Sequence, residues 1–361
     1  MIANFTGEPI KVLVVDDSAF MRKALTMMLE EDPQIKVVGT ARDGEDGIFK
    51  ARNLKPDLIT MDIEMPRMDG LTALRQIMSD NPTPVMMVSS LTTDGAEATL
   101  EALELGAVDF ISKELSYVSL DIVKIKDELQ KKIKNIAQRK NILMARYRNR
   151  MVRASIKASK TTRLTTTNSK FKKHFKLIVI GSSTGGPQAL QDIIPLLPAG
   201  LNVPVLVAQH MPPMFTKSMA ERLDRISRVR VKEAEQAEIA QPGVVYIAPG
   251  GKQMTVRKEN HQYRIHITTF PKEALYKPSV DILMNSACEQ AGGNVVGVML
   301  TGMGHDGLAA FQSLKQAGGA ILAQNEATSI VYGMPKAVVE AGIADHILPV
   351  EEISNQIASY F

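Results

Sequence analysis

Asp16 and Asp17 directly follow the apolar run Val12-Leu13-Val14-Val15, and Asp62 follows Leu58-Ile59-Thr60-Met61. If those runs are neighbouring strands of a parallel sheet, the three carboxylates converge at its carboxyl edge, where open α/β sheets hold their ligands. Carboxylates held together repel one another and need a cation, and an all-oxygen donor set favours Mg²⁺. Such a metal also neutralises an incoming phosphoryl group. Lys113, after another apolar run, adds a second positive contact, and Ser89, at the end of Val85–Val88, adds a hydroxyl donor.

A second group of reactive side chains stands in the other half of the chain. Gly181-Ser182-Ser183-Thr184-Gly185 follows Leu177-Ile178-Val179-Ile180 and has the G-x-S-x-G spacing of a nucleophile on a sharp strand-to-helix turn. That spacing selects Ser183 over Ser182, because Gly181 and Gly185 then sit two residues to either side. A serine nucleophile needs a base. His210 directly follows the run Val203–Ala208, and Asp306, in Thr301-Gly302-Met303-Gly304-His305-Asp306-Gly307, offers a carboxylate to orient it. Triads are recognised by geometry and not by chain order. The order Ser, His, Asp differs from the Ser, Asp, His of α/β-hydrolases, so that fold is not implied. Gly302 to Gly307 also reads as G-x-G-x-x-G, with Glu326 near the distance at which an acidic residue would bind a ribose. That fingerprint comes late in its domain, and Asp306 within it would repel a pyrophosphate. On the residues alone both readings stand.

Positioning these groups takes two sheets. Val12–Val15, Val37–Gly39, Leu58–Met61, Val85–Val88 and Val108–Ile111 read as five strands, and stretches such as 19–30 and 70–80 have helical spacing between them. Short, wholly apolar strands alternating with helices predict a parallel sheet covered on both faces. The pattern returns after Lys176, with strands expected at Leu177–Ile180, Val203–Ala208, Val244–Ile247, Val295–Leu300 and Ala320–Ala323. Met254–Arg257 and Tyr263–Thr268 alternate around Glu259-Asn260, as a hairpin does. The fold class expected is therefore α/β: a five-stranded parallel doubly wound domain followed by a Rossmann-like α/β domain. A chain of 361 residues fits two domains.

Between the two patterns the composition changes. From Asp121 to Lys176 there are 18 Lys and Arg against 3 Asp and Glu, leaving 25 basic and 36 acidic residues elsewhere. Ile122, Leu129, Ile136 and Leu143 recur every seven residues, which predicts a helix running into a basic amphipathic extension. Residues 154–170 are rich in Ser, Thr, Lys and Arg, the composition of a flexible linker. We therefore place the domains at 1–130 and 175–361, with a basic linker over 131–174. The linker carries no aromatic or recognition-helix pattern, so a nucleic-acid partner is not expected. A regulator acting by binding, through a basic linker on DNA, lacks a helix-turn-helix. No apolar run approaches the ~18 residues of a spanning helix, so membrane insertion is not expected. The single cysteine, Cys288, cannot form an internal disulfide, and a reducing, cytoplasmic location is expected. Cys288 reads as a small buried helix residue, and the 20 methionines as core filling.

The first half closely resembles a two-component receiver domain, over about Ile10–Leu129. Asp16, Asp17, Asp62, Ser89 and Lys113, with Asp62-Ile63-Glu64-Met65-Pro66 and Asp69-Gly70, carry that resemblance. It implies that Asp62 is the phospho-acceptor and a histidine kinase the donor. It further implies that Asp16, Asp17 and Asp62 bind Mg²⁺, that Ser89 and Lys113 engage the phosphoryl oxygens, and that Phe110 is the rotating aromatic. Receivers usually place proline after the lysine, where this chain has Glu114. From Lys176 onward the chain resembles the chemotaxis protein-glutamate methylesterases. The residues concerned are Gly181–Gly186, Gln209-His210-Met211-Pro212-Pro213, Tyr246-Ile247-Ala248-Pro249-Gly250, Pro278-Ser279-Val280-Asp281, Gly302–Gly307 and Ala323-Gln324-Asn325-Glu326. That resemblance implies hydrolysis of glutamate methyl esters on chemoreceptors and deamidation of certain receptor glutamines. Ser183 would be nucleophile, His210 base and Asp306 its orienter. Thr184 and Met303 would line the site, which would need no cofactor. The methylated receptor would be the protein substrate and the chemotaxis kinase the phosphodonor.

Overall fold

The computed structural model describes residues 7–113, 121–156 and 174–361, and the chain divides into two compact units, Met1–Lys160 and Thr161–Phe361. Glu114, where the receiver pattern has proline, lies outside the described residues.

The first unit alternates strands β1 (Ile10–Val15), β2 (Ile35–Ala41), β3 (Leu58–Asp62), β4 (Val85–Ser89) and β5 (Asp109–Ser112) with helices α1 (Ala19–Glu30), α2 (Gly44–Leu54), α3 (Gly70–Asp80) and α4 (Thr93–Leu105). All five strands pair in parallel, in the order β2-β1-β3-β4-β5. Val12, Leu13, Val14, Leu58, Ile59 and Met61 are wholly buried, as expected of strands covered on both faces. The helices start at side-chain caps that leave the acidic loops in place. Ser18 accepts from the Met21 amide at 3.3 Å, just beyond Asp16 and Asp17, and Asp69 accepts from the Thr72 amide at 2.6 Å, just beyond Asp62.

Two further helices follow, α5 (Asp121–Gln138) and α6 (Lys140–Ile156). Residues 131–156, placed in the first part of the linker, are helical on either side of a single break at Arg139, as the seven-residue repeat predicts. Leu129, Ile133 and Ile136 are fully buried, and α5 packs on α1. Lys140, at the start of α6, donates to the Pro56 carbonyl at 2.8 Å and pairs with Asp57 at 3.1 Å. Apolar residues at seven-residue spacing give α5 its inner face, and the basic side chains between them do not interrupt it. The part of the expected linker over 157–173 lies outside the described residues.

The second unit is a seven-stranded parallel sheet. Its strands are β6 (Leu177–Ser182), β7 (Val205–Gln209), β8 (Arg230–Glu233), β9 (Val244–Ile247), β12 (Val295–Met299), β13 (Ala320–Gln324) and β14 (His346–Leu348), with β10 (Gln253–Glu259) and β11 (Gln262–Thr268) forming a separate antiparallel hairpin. The order is β14-β13-β12-β6-β7-β9-β8. Helices α7 (Gly186–Ile193), α8 (Phe215–Ile226), α9 (Val280–Ala291), α10 (Leu308–Gln316), α11 (Met334–Glu340) and α12 (Val350–Ala358) complete the unit. Strand β6 has β7 on one side and β12 on the other, so successive connections leave it in opposite directions. A crevice opens at such a point, beyond the carboxyl ends of the strands.

Candidate active site and phosphoacceptor site

In the first unit, ligand oxygens of Asp16, Asp17 and Asp62 lie within 4.8 Å of one another. Asp16 and Asp62 are buried, while Asp17 is exposed. The Lys113 ammonium is 2.6 Å from Asp62 and 3.5 Å from Asp16. One ammonium faces three carboxylates, so the cluster carries excess negative charge. Burial pushes the Asp62 carboxyl up to about 6, Lys113 pulls it down, and Asp16 adds to the rise. Burial likewise raises Asp16 against the pull of Lys113. A hard divalent cation fits this all-oxygen, under-neutralised set.

Ser89 is at the end of β4, as expected, but its hydroxyl is turned toward α4. It accepts from Thr99 Oγ1 at 2.7 Å and is 3.2 Å from the Gly95 carbonyl oxygen, to which it donates. Phe110 is buried, with the Lys132 ammonium 5.9 Å from its ring centroid.

In the second unit the register decides which serine faces the crevice. Ser182 is opposite Gln209 across β6 and β7; it is wholly buried, and its hydroxyl donates to Gln209 Oε1 at 2.6 Å. Ser183 is half-buried one residue further on, where the strand turns into α7. Gly185 makes that turn at φ +77°, a conformation that side chains with a Cβ rarely adopt. His210 follows β7, and its amide donates to the Ser182 carbonyl at 3.0 Å. Gln209 Nε2 donates to the carbonyls of both Ser183 and His210 at 2.9 Å. One buried amide thus ties the two loops together.

Asp306, from the loop after β12, meets His210 Nε2 at 2.7 Å. Its other partners are the Ser279 hydroxyl at 2.9 Å, the Val280 amide at 2.7 Å and the Asp281 amide at 3.2 Å, all at the start of α9. Burial pushes the carboxyl up, but the bond and charge of His210 and the donors at Val280 and Ser279 outweigh it and hold Asp306 below the usual range. Asp306 is therefore an anion, and the His210 nitrogen facing it carries the proton. In the neutral imidazole the lone pair is then on Nδ1. Nδ1 is buried and has no hydrogen-bond partner among the described residues.

Thr184 is buried, and its carbonyl accepts from Thr301 Oγ1 at 2.9 Å; Met303 is half-buried in the facing loop. Gly302 is needed there for space. A Cβ would stand 2.3 Å from Met334 Sδ and 2.9 Å from Ser183 Cβ. The glycine thus lets this loop close on the serine turn, a reason unrelated to a pyrophosphate. Glu326 is exposed in a short 3-10 turn. Cys288 is half-buried on α9, its thiol pushed up to about 11 by burial and by Glu289.

Residues 178–357 match the family model described as CheB methylesterase, and residues 12–122 match the response regulator receiver domain. A protein-glutamate methylesterase/protein-glutamine glutaminase of Nitratidesulfovibrio vulgaris is 49% identical, over 96% of this chain and 98% of that one. The chain belongs to the CheB methylesterase family. A protein of the same name from Oleidesulfovibrio alaskensis is 50% identical over the same shares. The crystal structure of the CheB methylesterase catalytic domain of Thermotoga maritima covers 52% of this chain and 99% of its own, at 42% identity and a TM-score of 0.51. The CheB fold therefore accounts for the second unit, and a receiver for the first. No helix among the described residues is long and apolar enough to cross a membrane.

Reading the sequence missed three side chains around His210 and Asp306. Gln209 carried a signal, a buried amide between a strand and its terminal histidine. Ser279 carried one too, as a cap before the apolar face of α9. Tyr276, whose ring stacks on His210, had none.

Proposed function

We propose that this chain hydrolyses glutamate methyl esters on chemoreceptors, and deamidates certain receptor glutamines, by a serine mechanism centred on Ser183 and controlled by phosphorylation of Asp62. The observation that carries the reading is the 2.7 Å bond between His210 and Asp306 beside a half-buried Ser183, with Ser182 sequestered by Gln209.

Ser183 Oγ attacks the ester carbonyl while His210 Nδ1 takes its proton. The imidazolium formed is stabilised by the Asp306 anion, and it returns the proton to the departing methoxide, so methanol leaves and an acyl-enzyme remains. A water then gives its proton to His210 and attacks the acyl carbon. The acyl–Oγ bond breaks as His210 returns that proton to Ser183 Oγ, which leaves the receptor glutamate side chain as a free carboxylate. With glutamine the leaving group is ammonia. The backbone N–H groups of Thr184 and Met303 are the proposed donors to the oxyanion.

In the receiver, Asp16, Asp17 and Asp62 would hold Mg²⁺, which when bound neutralises the phosphoryl charge. Asp62 takes the phosphoryl group from a chemotaxis histidine kinase, and Lys113 pairs with its oxygens. Ser89, now bonded to α4, must rotate to reach them, and Phe110 rearranges with it. The protein acts from the cytoplasmic side.

Methanol release from methylated receptor membranes tests the serine assignment. Ser183→Ala is expected to abolish release while Asp62 still accepts phosphate, and Ser182→Ala is expected to stay active. The reverse pair of results would reject the register.

A further inference from the structure

A hydrogen bond at Nε2 defines an axis for the His210 ring but not its plane. With Cβ and Nε2 held, the imidazole can still tilt about the line that joins them, and such a tilt redirects Nδ1. Something must fix the plane if Nδ1 is to accept the serine proton in every turnover. The Tyr276 ring lies flat against the imidazole, with centroids 4.2 Å apart and planes inclined by 7°.

Tyr276 is itself anchored. Its carbonyl accepts from Gln253 Nε2 at 2.7 Å, and Gln253 Oε1 accepts from the Ser279 amide at 2.8 Å. Gln253 is wholly buried on β10. The Ser279 hydroxyl in turn donates to Asp306 at 2.9 Å. One buried amide therefore holds the loop that carries both the ring against the base and the hydroxyl on the carboxylate.

We infer that Tyr276 is a positioning residue for the esterase, its ring fixing the plane of His210 so that one nitrogen meets Asp306 and the other Ser183. The inference rests on the triad proposed above. As His210 takes the proton it becomes a cation facing an aromatic ring, a contact stronger in the transition state than in the resting enzyme. The gain therefore falls on kcat and not on substrate binding.

The test compares full-length Tyr276→Phe, which keeps the ring, with Tyr276→Leu and Tyr276→Met, which do not. Methanol release from methylated receptor membranes gives kcat and KM, and a serine-directed organophosphonate gives the reactivity of Ser183 without receptor. The two non-aromatic variants are expected to lose roughly 10- to 100-fold in kcat and in labelling rate, with KM within about 2-fold and Tyr276→Phe close to the parent. If one non-aromatic variant fails to fold, the other carries the test. Parental kcat in a folded non-aromatic variant, an equal loss in Tyr276→Phe, or a change confined to KM would overturn the inference. Ser183→Ala separates the two levels. An active Ser183→Ala rejects the triad itself, whereas an inactive one beside a fully active Tyr276→Leu rejects only the role of Tyr276.

Discussion

At the residue scale, Asp306 joins three loops through one carboxylate, and both its chemistry and its stability effect follow from its donors. Asp306→Asn removes the anion that fixes the His210 tautomer, and kcat for methanol release is expected to fall on the order of 10⁴-fold. A pH effect accompanies it. The folded Asp306 carboxyl is held below its unfolded value, so the ion contributes stability above the unfolded pKa and loses it as pH falls through the folded one. Thermal unfolding of the second unit between about pH 5 and pH 2 is therefore expected to be steeper in the parent than in Asp306→Asn. Equal slopes would contradict the assignment. The sequence made the pairing of His210 with Asp306 and the proposal of Ser183 legible because strand-end placement and glycine spacing are local properties. Tyr276 was not legible, since a loop aromatic shows its partner only once β10 and the start of α9 have packed.

At the element scale, burial set what could be read. The inner strands β1, β3, β4, β6 and β12 are continuous apolar runs and stood out. The edge strands β8 and β14 were missed, being four and three residues long and carrying Arg230, Lys232, Glu233 and His346. An edge strand with one open side has no need of an apolar run. At α5 and α6 the seven-residue repeat was legible through the charge, and it reaches the core at Leu129, Ile136 and Leu143. Ile136→Ala is expected to destabilise the first unit by about 2–5 kcal/mol, read as a lower urea midpoint. A neutral effect would return residues 131–138 to the linker.

At the scale of the whole molecule, the two units meet different needs. One gathers carboxylates that want a cation and a phosphoryl group, the other a base and a carboxylate beside a serine. We propose that the junction lies within 157–173, where Ser, Thr, Lys and Arg dominate and few side chains are apolar. Limited trypsin is expected to cut first between Lys157 and Lys173 and to leave two stable fragments. First cuts within 7–113 or 174–361 would contradict that placement. Two domains and two chemistries were legible from the recurrence of strand-helix alternation on either side of a basic stretch. The pairing of the two chemistries on one chain also made it legible that one controls the other. The two states between which control switches were not legible, because a sequence displays neither.

The central claim is that a phosphoryl group on Asp62 raises the activity of Ser183. The direct measurement is methanol release from methylated receptor membranes, with and without a small-molecule phosphodonor and Mg²⁺, in the parent and in Asp62→Asn. The parent is expected to be stimulated, and chelating the metal to abolish that stimulation. Asp62→Asn is expected to keep the basal rate and to lose the response. An undiminished response in Asp62→Asn would contradict the account.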